Sequence, residues 1–149
     1  MSRSVPFHAL LRAYRATAYR VFLPTGVVVL RCGQRAPRLD GWLKAEGVAR
    51  WCVLTAWNPA SRQLDAAENR RRQEALRQRL RVYSDRLFRG ENHADAQDWP
   101  VEETLFVPGL GRAAARGPMR GHGQNAFLWG VRGKPARLCW LAGGIRFRR

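Results

Sequence analysis

An α/β (α+β) fold is what this sequence predicts: one domain over residues 1–149, with a mixed β-sheet of about five to six strands and three to four helices packed on it. Three observations lead there. The 149 residues make about one domain, and 46% hydrophobic with 26% charged residues are globular values that exclude a disordered chain, a collagen or a disulfide scaffold. Apolar segments run in the order ββαβαβαββ after a first helix, with spacing that switches between strand and helix periods. No repeat of roughly 20–50 residues and no low-complexity linker divides the pattern.

Each element follows from its residues. Behind Pro6, which suits a first helical turn, Phe7, Leu10, Leu11, Tyr14 and Ala18 recur at helical spacing. Tyr19 to Leu23 and Val27 to Cys32 flank Pro24-Thr25-Gly26 and are expected to pair as a hairpin. Arg38 to Val48 predicts a short helix closed near Gly47, and Trp51 to Thr55 a buried strand. The helix from Ala66 to Tyr83 is the best marked, because Asp65 three residues ahead of Glu68 forms the aspartate version of a capping box. Its apolar stripe is Leu76, Leu80 and Tyr83; stepping back along it reaches Asn69 and Arg72, so two polar groups begin the inward face. Beyond a loop rich in Asn, Gly and Asp, Thr104 to Val107 reads as a strand and Arg112 to Arg120 as a helix. Asn125 to Trp129 and Arg137 to Leu141 read as the closing strands.

The chain carries 27 basic against 11 acidic residues, a net charge of +16. Arginine supplies 25 of the basic residues while isoleucine occurs once, the signature of GC-rich coding, so solvated arginines outweigh a dedicated polyanion site. The longest charge-free apolar stretch near the start, Val21 to Leu30, has about half the length of a membrane span. Cys32, Cys52 and Cys139 lie far apart beside apolar residues and read as reduced core thiols, with no zinc spacing. The first 39 residues hold seven arginines and no acid, as a transit peptide would, yet run directly into the domain pattern. Mature protein of a bacterial cytoplasm, with no metal, no cofactor and no membrane segment, is the expectation.

Chemistry-bearing residues gather in three places. Thr55-Ala-Trp-Asn-Pro59 leaves a buried strand into a turn and is followed by Ser61, Asp65, Glu68 and Asn69, which brings Thr55, Asn58, Ser61, Glu68 and Asn69 to one rim of the sheet. Asn58 and Glu68 can equally serve as turn former and cap. A second group holds five of the eleven acids, in residues 91–103: Glu91, Asp95, Asp98, Glu102 and Glu103, together with His93 and Trp99. Ion pairing with the arginine-rich helix, Arg72 above all, is favoured there over a divalent cation, and Glu102 or Glu103 is an acid/base candidate if burial raises its pKa. Gln124 and Asn125 stand before a strand and can recognise a polar ligand or tie a loop together. Gly109-Leu-Gly111-Arg-Ala-Ala114 mimics a dinucleotide loop, but Pro108 interrupts it and no acid follows Glu103.

Thr55-Ala-Trp-Asn-Pro59, Glu68-Asn69 with Arg72, Trp99-Pro-Val-Glu-Glu-Thr104, Gly109-Leu110 and Gly123-Gln-Asn-Ala126, in that order, resemble a small bacterial family known only as a domain of unknown function. The Tyr14 and Tyr19 region fits as well. The chain departs from the pattern at Asn92-His-Ala-Asp-Ala-Gln97, where a more glycine-rich run is expected, and at His122, where an aromatic is. The resemblance implies an α/β domain and assigns no activity.

Three readings follow. In the leading one a polar pocket of Thr55, Asn58, Asn69, Arg72, Trp99, Gln124 and Asn125 binds a small polar or anionic ligand. Arg72 holds its charge, and Glu68 or Glu102 is the acid/base group if there is a reaction. Asn69→Ala or Gln124→Ala is then expected to abolish binding and leave the fold largely intact. In the second, Arg70, Arg71, Arg77, Arg79, Arg81, Arg146, Arg148 and Arg149 form a non-specific nucleic-acid surface. In the third, the same motif residues are a structural network in an interaction module.

Overall fold

Among the described residues strand pairing is antiparallel throughout, in a seven-stranded sheet whose order across is 26–30, 17–23, 88–94, 102–108, 50–54, 126–131 and 137–140. The structure is a computed structural model that describes residues 6–141. Its strands are β1 (Thr17–Leu23), β2 (Gly26–Leu30), β3 (Arg50–Leu54), β4 (Phe88–Ala94), β5 (Glu102–Pro108), β6 (Ala126–Val131) and β7 (Arg137–Trp140). The helices are α1 (Phe7–Arg15), α2 (Pro37–Glu46), α3 (Ala66–Leu80) and α4 (Arg112–Gly121).

This corrects the expected mixed sheet of five to six strands, and the reason is topological. The segments β3-α3-β4 and β5-α4-β6 are helical crossovers of the kind that join parallel strands, but each leaves room for one antiparallel strand between its two ends. Residues 50–131 therefore form the split β-α-β arrangement of a ferredoxin-like unit, β3-α3-β4-β5-α4-β6. The hairpin β1–β2 extends that unit beyond β4, and β7 extends it beyond β6. The extra strand is β4. Its sequence, FRGENHA, offers one large apolar residue and so reads as part of the acidic loop.

Both faces of the sheet are covered. On one, α3 and α4 bury Leu76, Leu80, Ala115 and Met119 against Cys52, Leu54, Leu105, Val107 and Phe127. On the other, α2 places Leu39, Trp42 and Leu43 over Val21, Trp51, Val53 and Phe106. Neighbouring segments tie the far ends of the sheet together: Gly33 N donates to Ala136 O at 2.7 Å, and Ala136 N to Gln34 O at 3.0 Å. Across that join lies α1, whose Phe7 and Tyr14 rings meet Trp140 of β7 at centroid distances of 4.8 and 5.4 Å.

Helix signals hold at the ends where they are strongest. Asp65 accepts the Glu68 N–H at 2.8 Å, and Gly47 closes α2 in the left-handed conformation at φ 69°. Glu68 does not complete the capping box; its carboxylate pairs with Arg71. Gly90 marks a close backbone approach in the sheet, since a Cβ there would collide with the Arg20 carbonyl oxygen and lie 2.7 Å from Thr104 Oγ1.

Candidate functional site

The face occupied by α2 is left open at one end, where β1 and β5 begin, β4 ends and β3 leaves the sheet. Over that end arch α1, the 55–65 loop, the 95–101 loop and residues 123–125, and between them and the sheet lies a cavity of about 490 Å³. Its floor is one row of the ladder. Tyr19 pairs with Asn92 across β1–β4, and Asn92 with Glu102 across β4–β5, so the three side chains project to the same face in adjacent positions. A smaller chamber of about 40 Å³ continues beneath, bounded by Thr55, Thr104, Ala126 and Leu128.

Glu102 is the chemical centre of this end. Its Oε2 accepts two hydrogen bonds, from Asn58 Nδ2 at 2.7 Å and from Trp99 Nε1 at 3.2 Å. Among the described residues it makes no ion pair, and burial pushes its carboxyl pKa above the ordinary value, against the smaller downward pull of those two donors. The two donors fill Oε2 as an acceptor, so a proton held by this group sits on Oε1. Tyr14 and Tyr19 share the cavity wall, and burial raises both phenol pKa values further, with the Glu102 charge adding to the rise.

A network of amides holds the loop that carries Asn58. Asn69 Oδ1 accepts Asn58 N–H at 3.0 Å, while its Nδ2 donates to Asn58 Oδ1 at 2.8 Å and to Leu64 O at 3.2 Å. Asn58 Oδ1 also accepts Leu64 N–H at 2.9 Å, and Gln73 Oε1 accepts Ala56 N–H at 2.9 Å. Gln124 Nε2 donates to Trp57 O at 3.0 Å, and Asn125 Nδ2 to Ser61 Oγ at 3.1 Å. These bonds stabilise a strained segment: Asn58, Ala60 and Ser61 have φ of 45°, 53° and 58°, a region that costs an ordinary residue about 1–2 kcal/mol. Strain concentrated at the entrance of a cavity is a recurrent mark of functional loops.

The sequence-derived candidates divide accordingly. Asn58, Trp99, Glu102, Gln124 and Asn125 line the large cavity, and Thr55 the smaller chamber, where its hydroxyl donates to Glu103 O at 2.7 Å. Asn69, 1% exposed, stands behind Asn58 and supports it without lining the cavity. Arg72 does not lie in the cavity: its Nε donates to Ala56 O at 3.2 Å and its Nη2 to His122 O at 2.8 Å, tying the β3 exit to the end of α4. Glu68 lies on the outer side of α3 against Arg71. The acidic segment does not neutralise Arg72 either; Asp95 pairs with Arg31 at 2.8 Å and Glu103 with Arg89 at 3.0 Å. No group of three or more His, Cys, Asp or Glu among the described residues could hold a metal ion. At the dinucleotide-like loop, Gly111 is packed against the Arg50 guanidinium.

Sequence reasoning passed over Asn92, Trp57 and the inner face of α1. Asn92 Oδ1 and Trp57 Nε1 are buried with no hydrogen-bond partner among the described residues, and other atoms of both residues line the cavity. The one available signal was a polar residue two positions beyond a glycine in an inward-facing row, visible only once β4 is recognised as a strand.

Of the arginines proposed as a nucleic-acid surface, Arg71 pairs with Glu68, and Arg77 lies 3.5 Å from Glu74. Arg70, Arg79 and Arg81 are exposed on α3 and just beyond it, whereas Arg146, Arg148 and Arg149 lie outside the described residues.

Residues 54–127, about half of the chain, match the model of a family described as "Protein of unknown function (DUF3293)", which places this stretch in a domain-of-unknown-function family. All five motifs singled out above fall within that stretch; Tyr14 and Tyr19 precede it. No curated protein and no solved structure matches the chain.

Proposed function

From a family that assigns no reaction, and a cavity built on one row of the sheet, we propose that this protein is a small-molecule-binding domain whose ligand is read by Glu102. One observation carries the reading: a buried carboxyl with no ion pair among the described residues, oriented by Asn58 and Trp99, faces a cavity of about 490 Å³. That volume lies within the roughly 300–1,000 Å³ range of ligand pockets, and the mixture of Trp, Tyr and Ala walls with a few fixed polar groups is their usual composition. A polar ligand is supported by this lining. For an anionic one the expected clamp, Arg72, is engaged by two backbone carbonyls, which leaves Arg12 of α1 as the guanidinium lining the cavity among the described residues. Gln124, Asn125 and Asn69 act mainly by shaping the entrance loop.

A thermal-shift screen of nucleotides, amino acids, amines and sugar phosphates at moderate and high salt tests the proposal. A ligand that raises the melting temperature at high salt, and loses the effect in Glu102→Gln, supports it. Shifts caused only by polyanions at low salt would instead point to the helical layer.

That layer supports the second reading. Helix α4 carries Arg112, Arg116 and Arg120 with no acid, packs beside α3, and adds exposed arginines to Arg70 and Arg81. A non-specific nucleic-acid surface there predicts an affinity that falls steeply with salt, with a slope reduced in Arg70→Ala/Arg116→Ala/Arg120→Ala.

A further inference from the structure

The hydrogen-bonding inventory of the cavity is unbalanced. Asn58 Nδ2 and Trp99 Nε1 already donate to Glu102, Gln124 Nε2 to a backbone carbonyl, and Asn125 Nδ2 to Ser61. One acceptor remains open. Glu102 Oε1 takes no hydrogen bond among the described residues, whereas Asn92 Oδ1, directly across the β4–β5 ladder, is also without a partner there but is closed off from the cavity. A buried carboxylate is stable as an ion only when a positive charge meets it, and none of the described residues makes an ion pair with Glu102.

We propose that the group received by Glu102 is an organic cation, an amidinium or guanidinium, carried on a flat body that lies among Tyr14, Trp57 and the alanines of α1. The inference rests on the cavity being a ligand site. Aromatic rings favour a cation that has left water, and Tyr14, Trp57 and Trp99 line the cavity around the carboxyl. Binding takes the ionised form of Glu102, so affinity falls as pH drops through its raised pKa. The other ionisable groups lining the cavity are Arg12 and Tyr14 of α1, Tyr19 of β1 and Asp98 of the 95–101 loop. Burial keeps both tyrosines protonated, and Asp98→Asn separates the charge at the rim from that of Glu102.

Benzamidine, benzamide and benzoate share one shape and differ in charge, which makes them suitable probes. Binding is followed by calorimetry and by the indole N–H resonances of Trp57 and Trp99, from pH 5 to 8, in the wild type, Glu102→Gln, Asp98→Asn and Ala13→Trp, the last filling the cavity from α1. The expected result is benzamidine bound at least about tenfold tighter than benzamide, equivalent to roughly 1.4 kcal/mol. That preference is lost in Glu102→Gln, declines in the wild type as pH is lowered, and keeps its pH dependence in Asp98→Asn. Glu102→Gln retains an oxygen to accept from Asn58 and Trp99, and its circular dichroism shows whether it folds. Benzoate or benzamide binding best, in a manner blocked by Ala13→Trp, overturns the cation and leaves the ligand site standing. No binding of these probes or of any screened fragment, with Ala13→Trp indistinguishable from the wild type, overturns both.

Discussion

Replacing Asn69 by alanine tests whether the buried amides hold the entrance loop or merely occupy space. The change removes three hydrogen bonds, at 2.8, 3.0 and 3.2 Å. Asn58 N–H then has no acceptor in a site where Asn58 is 5% exposed, a loss of about 1–3 kcal/mol. Asn58 Oδ1 keeps Leu64 N–H, and the Leu64 carbonyl can turn to solvent, so the other two bonds add less than about 1 kcal/mol each. The sum is about 3 kcal/mol, which for a chain of this size lowers the melting temperature by roughly 10 °C. Urea unfolding monitored by circular dichroism measures it. Asn69→Ala is therefore a stability variant first, at odds with the expectation from sequence that it spares the fold. Its ligand binding must be measured well below the new midpoint. A loss under about 1 kcal/mol would refute the reasoning, because it would mean that the loop keeps its left-handed turns without Asn69.

Three further outcomes follow. Glu102 has a folded-state pKa above its unfolded value near 4.5, so its contribution is complete below that pH and is lost as pH rises through the folded value. Glu102→Gln should match the wild type near pH 4 and be the more stable protein at pH 7; parallel curves across that range in chemical denaturation would contradict the burial argument. Gly90→Ala should lower stability by about 2 kcal/mol or more, because its methyl group meets the Arg20 carbonyl, and an unchanged midpoint would show that the β1–β4–β5 ladder can open there. Burial pushes the Cys52 thiol up to about 12; it also raises that of Cys32, which is only partly buried and has Arg15 nearby pulling the other way, so iodoacetamide should alkylate Cys32 before the buried Cys52 or Cys139, as read by mass spectrometry of peptides.

Local signals carried most of the fold. Asp65, Gly47 and the turn at Pro24-Thr25-Gly26 end or begin elements close to where their chemistry predicts. β4 escaped because its inward positions are Phe88, Gly90 and Asn92, a row that is apolar at one end, empty in the middle and polar at the cavity. With β4 missing, the two split crossovers look like ordinary β-α-β units, and a mixed sheet follows. Glu102, Asn58 and Trp99 were legible as a site because their types cluster in motifs, but Asn92 and Tyr19 reach it through a register set by strands some seventy residues apart. Arg72 shows the opposite limit. A guanidinium on an inward helix face reads as a ligand clamp, and only the positions of the Ala56 and His122 carbonyls reveal that it binds the chain itself.

The row Tyr19–Asn92–Glu102 also bears on how fast the site can come into being. Its Tyr19–Asn92 step joins strands that meet only after the long segment between β1 and β4 has closed, and long-range pairing of this kind forms late and slowly. A collapsed intermediate holding the β1–β2 hairpin and α3 would have no cavity. Contacts absent from the folding transition state change the unfolding rate alone. A bound ligand would thus bend only the unfolding arm of a chevron plot, lengthening the lifetime of the folded chain without hastening its birth.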